Sequence, residues 1–270
     1  MTAFANHFAF EFKTGLRNSN LLLMNYLFPL GFYALMGLVM TQINPLFTAT
    51  MIPAMVVFAA MASTLLGLPS PLVESREAGI YRSYKINGVP AASILAIPVL
   101  TTIFHTLIVC AIISLTAAPF FKGVAPVNWG AFALITLLTA LTCGAIGALI
   151  GVVSNSAQAT VLWSQLIFLP SMLLGGLMMP LSILPQSIRP VSAFLPPARA
   201  MEAFLGLAYN QETVMGPMTS AIILLVSGLL AFALAIYLFN WDSRNKTRRG
   251  HPLMALLVLV PYIVGIFIGW

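Results

Sequence analysis

The chain has 270 residues, of which 60% are hydrophobic and only 18 carry charge, 12 as Lys or Arg and 6 as Asp or Glu. No soluble domain of this size has a way to hide so much apolar surface, so that class is excluded. The net charge of +6 does not point to nucleic acid, because the basic residues flank long apolar runs, where membrane orientation and anionic lipid account for them.

Residues 2–18 read as an amphipathic helix. Phe4, Phe8, Phe12 and Leu16 recur every four residues on one face, while His7, Glu11, Lys13 and Arg17 lie elsewhere. Such a helix rests in the membrane interface, either as a plain anchor or as a connector to a cytoplasmic partner. It is not a cleavable signal, because the apolar run that follows is too long for one.

A membrane helix needs about 20 apolar residues to cross a core of ~30 Å. Runs of that kind predict spans over 21–40, 51–70, 94–118, 129–153, 160–180 and 218–239, with 252–270 as a candidate seventh. The runs are continuous rather than alternating, which argues for helices over a β-barrel. The expected fold is therefore all-α and polytopic.

Residues 72–92 form the most charged connection, with Glu74, Arg76, Glu77, Arg82 and Lys85, punctuated by Gly79, Asn87-Gly88 and Pro90. Topology alone asks only for Lys and Arg. Carboxylates at helical spacing suggest a surface meant for a protein, against the plainer reading of a solvated loop. His105 falls near the middle of the third span, where a neutral imidazole bonding a neighbouring helix is favoured over a proton relay, since no acid lies in the spans. Asn25 and Gln165 are expected to bond between helices in the same way. Ala140, Gly144, Gly147, Ala148 and Gly151 form a small-residue stripe in the fourth span, suited to close helix packing within or between chains. Cys110 and Cys143 lie inside apolar runs with no CxxC spacing, so they read as buried thiols and no metal site is expected.

From 175 to 200 the chain is apolar yet broken. Gly175-Gly176 is followed by Pro180, Pro185, Pro190 and Pro196-Pro197. Proline cannot continue a helix interior, so short re-entrant helices sheltered by the spans fit better than an extracellular loop. Beyond residue 250 the apolar tail would reach ~28 Å as a helix, kinked at Pro261.

Lys and Arg favour the cytoplasmic side. An N-terminus inside puts Lys13, Arg17, Arg76, Arg82, Lys85, Arg244, Lys246, Arg248 and Arg249 in the cytoplasm, and only Lys122, Arg189 and Arg199 outside. Catalytic chemistry is scarce. There is no GxxxxGK[ST] phosphate loop, no HExxH and no GxSxG, so no energy source is encoded and a partner must supply it.

Two stretches carry a family resemblance. ESREAGIYRSYKINGVPAASIL at 74–95 is similar to the charged loop of the ABC type-2 export permeases, with Glu77, Gly79, Arg82 and Pro90 in marked positions and Val89 replacing a small polar residue. LLGGLMMPLSILPQSIRPVSAFLPPARAMEAFLGL at 173–207 resembles the same family's Gly/Pro segment, with Gly176, Pro180, Pro185 and Pro196 in place. The resemblance covers about residues 2–248 and leaves 249–270 as an added segment. It implies two permeases and two separate cytoplasmic ATPases that bind the ATP. Glu74, Arg76, Glu77, Gly79, Arg82 and Lys85 would form the coupling element. The helix with Phe4, Phe8, Phe12, Lys13 and Arg17 would be a second contact. Gly175, Gly176, Pro180, Pro185, Pro196 and Arg199 would belong to an outer re-entrant gate. Export of a hydrophobic or amphipathic molecule from a bacterial cytoplasmic membrane is the expected role. A non-transporting scaffold is the alternative, and a lipid-modifying enzyme the weakest reading.

Overall fold

The computed structural model describes residues 9, 12, 13, 17, 19–242 and 250–268. Among these there is no strand, and six helices are long and apolar enough to cross a membrane. In chain order, spans 1 to 6 are Leu23–Ile43, Phe47–Glu77, Ala91–Phe121, Trp129–Val153, Ala157–Leu174 and Pro217–Leu238. Phe4 and Phe8 lie outside the described residues.

The expected limits shift where apolar composition and helix end at different places. Spans 2 and 3 each run for 31 residues, about 46 Å of helix against a hydrocarbon core of ~30 Å. Charge begins at Glu74, but Glu, Ser and Arg do not stop a helix, so span 2 carries a polar end to Glu77. Span 5 ends at Leu174 instead of 180, because Gly176 takes a φ of +81°, open to glycine and strained for other residues. Starts are set by side chains. Asn128 Oδ1 accepts from the Ala131 N–H at 3.0 Å and Ser156 Oγ from the Ala159 N–H at 3.2 Å, capping spans 4 and 5.

Span 2 is the centre of the bundle, with every residue from Thr50 to Leu65 buried. The small residues of span 4 face it. A Cβ at Gly147 would run into the Thr64 carbonyl, and one at Gly151 would crowd Leu72 and the Pro69 carbonyl. Gly144 takes up Val99 and Ile103 of span 3. The stripe therefore packs within the chain. Span 6 joins the other side, where Thr142 Oγ1 donates to the Leu224 carbonyl at 2.9 Å. Spans 1 and 5 are peripheral and turn Leu27, Leu35 and Leu38, and Leu162, Leu166 and Leu173, outward.

His105 of span 3 is buried, with Tyr26 Oη of span 1 at 2.6 Å from Nδ1. The Phe12 ring stacks on the imidazole at 4.6 Å between centroids. Phe12 also meets Phe104 edge-on at 5.5 Å, so it reaches span 3 through two ring contacts, while Lys13 and Arg17 are exposed. Asn25 and Gln165 depart from expectation. Neither makes a helix-to-helix hydrogen bond, and Asn25 Oδ1 is buried without a partner. Asn25 sits against Gly67 of span 2, which offers no side chain to bond.

The tail forms a 3₁₀ helix, Pro252–Leu259, followed by an α-helix, Val260–Ile268. A 3₁₀ helix rises ~2.0 Å per residue, so the pair reaches about 30 Å. It runs antiparallel to span 6. Gly250 lies by Leu238, the Tyr262 hydroxyl is 2.9 Å from Ser227 Oγ, and Gly265 presses on Ile223. Pro261 does not kink a continuous helix as expected. It occupies the first turn of a new one, where its missing N–H costs nothing.

Candidate coupling hairpin and its anchors

Past the apolar part of span 2, the chain makes two short helices joined at an angle. The first is Pro69–Glu77 and the second Ile80–Ile86. Gly79 between them has a φ of +76°, and nothing lies within 4 Å of where its Cβ would sit. This is a glycine-only joint with open space around it. Gly88 repeats the device at φ +73°, just before Pro90 leads into span 3.

The six residues expected to form one coupling surface separate into three groups. On Pro69–Glu77, Leu72, Val73 and Arg76 are buried, whereas Glu74 and Glu77 are exposed on another side. Arg76 is therefore not part of an outer surface. Its Nη1 donates to the Val152 carbonyl at 2.9 Å, and its Nη2 donates to the Ser154 carbonyl. Those carbonyls close the C-terminal end of span 4, where a cation is favoured and unpaired acceptors need donors. Ser70 and Thr160, 2.8 Å apart at their hydroxyls, tie the same helix to span 5. Beside Arg76, a cavity of about 220 Å³ is bounded by Val152, Asn155, Leu238, Asn240 and Pro252.

Arg82 and Lys85 point elsewhere. Arg82 Nη2 meets Asp242 Oδ2 at 2.5 Å, and Lys85 Nζ stands 6.0 Å from the centre of the Trp241 ring. Both partners follow span 6 directly. Ile80 and Ile86 stay exposed, Ile86 at 81%. The exposed surface of the hairpin thus carries Glu74, Glu77, Ile80, Ser83 and Ile86, with Arg82 and Lys85 also exposed on the side that faces the residues after span 6.

At the other end of the bundle, residues 175–208 fold into short pieces, as the prolines require. A 3₁₀ turn, Leu181–Ile183, follows Pro180, and Pro185 accepts from the Ile188 N–H at 2.9 Å. Helices Arg189–Ser192 and Pro196–Ala203 carry Pro190 and Pro196 in their first turns. A Cβ at Gly175 would strike the Ser171 carbonyl. Pro196–Ala203 is buried along its whole length. Arg199, expected among the outer charges, is 0% exposed, and only its Nε has an acceptor, the Ala193 carbonyl at 3.2 Å. One turn on, Glu202 is buried as well and accepts the Met215 N–H at 2.6 Å. Burial pushes the Glu202 carboxyl up, opposed by the Met215 and Val214 N–H groups and the Arg199 charge.

The hairpin and the broken outer segment both lie within one family match. The family model for the ABC-2 type transporter matches residues 3–209. The chain belongs to the ABC-2 type transporter family. It is also similar to a Bacillus subtilis (strain 168) protein named "Putative transport permease YvfS", with 25% identity over 190 residues, 69% of this chain and 77% of that protein. No solved structure matches. The protein is a membrane-embedded transport permease, and its tail lies beyond the matched region.

Glu202 and Asp242 escaped the sequence reading. Glu202 had a signal, its place three residues after Arg199 in a helix. Asp242 had none, being 160 residues from Arg82. For Arg76, replacement by Ala is expected to cost about 2 kcal/mol, the worth of charge-assisted bonds to buried carbonyls. Thermal unfolding in mild detergent reads this directly. Lys at 76 should recover only part of the loss, since it lacks the planar fork that reaches two carbonyls at once.

Proposed function

We propose that this permease is the membrane subunit of an exporter powered by a separate cytoplasmic ATPase. Two permeases and two ATPases make the working assembly, in a bacterial cytoplasmic membrane with the N-terminus inside. The hairpin 69–86 is the ATPase contact, and 175–208 closes the outer side of the pathway. The substrate class is hydrophobic or amphipathic, because the spans bury few charged groups. Family membership across residues 3–209 carries this reading, and the exposed hairpin supports it. Its surface of Glu74, Glu77, Ile80 and Ile86 suits a partner with an apolar socket edged by cations.

Affinity capture of the tagged permease from its native membrane tests the proposal. A stoichiometric P-loop ATPase should co-purify, and its turnover should fall on Glu77→Lys, which places a cation against a cationic rim. Capture of the permease alone, or with a partner lacking a phosphate loop, would move the reading to a membrane scaffold.

A further inference from the structure

We propose that Arg82 and Asp242 are a positioning pair that clamps the outer arm of the hairpin to the inner end of span 6. Force from the ATPase then reaches that span. The role rests on the coupling reading above, whereas the clamp itself stands on geometry alone.

The hairpin has two arms and one free joint. The arm Pro69–Glu77 is fixed to the end of span 4 by buried Arg76. The arm Ile80–Ile86 buries Tyr81 alone, while Arg82 and Lys85 stay exposed. Between them, Gly79 sits in open space at φ +76°, able to act as a pivot. What holds the second arm is a row of contacts to the residues just after span 6. The Tyr81 ring meets Phe239 at 5.4 Å between centroids. Phe239 meets Trp241 at 5.2 Å, and Lys85 lies over the Trp241 ring. The ion pair of Arg82 with Asp242 closes the row.

Aromatic contacts slide, whereas an ion pair at 2.5 Å sets a register. With the pair intact, a push on Ile80–Ile86 moves Asp242 and therefore span 6. With it broken, the push is absorbed at Gly79. Span 6 lines the outer segment too, since Glu202 bonds Met215 just before the span begins. The clamp therefore joins the ATPase face to the element that carries the outer side. It also assigns Arg82 a partner within its own chain instead of on the ATPase.

The side chains of Arg82 and Asp242 are 50% and 25% exposed, and ion pairs of that kind add little to folding. Charge reversal should leave a folded protein, so the test separates coupling from stability. In the full-length permease alone, cysteines replacing Arg82 and Asp242 should be joined by a short thiol-to-thiol cross-linker, since native Cys110 and Cys143 are buried. In the complex with its captured ATPase, Arg82→Asp and Asp242→Arg should each keep ATPase capture but lower permease-stimulated ATP turnover by at least about fivefold. The double swap should restore it.

Absence of the cross-link in folded protein overturns the clamp. So does a swap that rescues nothing, or a single reversal that abolishes capture, because Arg82 then touches the ATPase itself. Unchanged turnover in both single variants overturns the positioning role. If wild-type permease captures no ATPase, the coupling role falls with the exporter reading, and the cross-link alone decides whether the clamp exists.

Discussion

Replacing Glu202 by Ala is expected to destabilise the permease by about 3 kcal/mol, seen as a lower unfolding midpoint in mild detergent. Two losses combine. The Met215 N–H, now bonded at 2.6 Å, is left without an acceptor. Arg199, 0% exposed with both terminal nitrogens lacking acceptors, loses its electrostatic interaction with Glu202. Gln at 202 keeps an acceptor for Met215, so its midpoint should lie between those of Ala and wild type. The pH dependence has a defined sign. Burial raises the folded carboxyl above its unfolded value, so the stability it contributes is fully present below the ordinary carboxylate range. That contribution is lost as pH rises through the folded value. The Gln variant should lack this part of the pH profile. An Ala variant as stable as wild type would mean that the buried charges are compensated in some other way.

The bundle was legible because bilayer physics leaves a coarse mark. Six apolar runs of sufficient length predict six spans, and the prolines at 180, 185, 190 and 196 predict broken backbone. The stripe at Gly144, Gly147 and Gly151 predicted close approach but not its partner, since small residues say how near a neighbour comes and not which neighbour it is. Polar side chains were the least legible. Arg76, Arg82 and Lys85 look alike in a charged connection, yet one caps span 4 from within and two reach the end of span 6. Their partners lie roughly 70 to 160 residues away, and no local pattern encodes that distance. The burial of Arg199 was illegible for a related reason. Outside the apolar runs an arginine is normally solvated, but here a short helix between spans takes it fully inside. In the tail only the helix type was illegible, because a 3₁₀ stretch of eight residues is longer than that helix usually runs, and apolar composition does not reveal it.

Adding one methyl to span 4 should be as damaging as losing Glu202. In Gly147→Ala the new methyl strikes the carbonyl of Thr64, a backbone atom that cannot rotate away. Thr64 is itself held by its own side chain, whose Oγ1 donates to the Ala60 carbonyl at 2.6 Å, in the most buried part of span 2. Relief requires spans 2 and 4 to separate, and overpacking of this kind costs about 2–3 kcal/mol. Gly31→Ala is the matched control. Nothing lies within 4 Å of its added methyl in peripheral span 1, so only the gain in helix propensity remains. Unfolding midpoints should fall for Gly147→Ala and hold or rise for Gly31→Ala. The contrast also decides where the stripe acts. Packing inside one chain means that Gly147→Ala weakens the isolated permease itself, at any protein concentration. A defect that appears only as permease copies fail to associate would instead place the stripe between chains and contradict the Gly147–Thr64 approach.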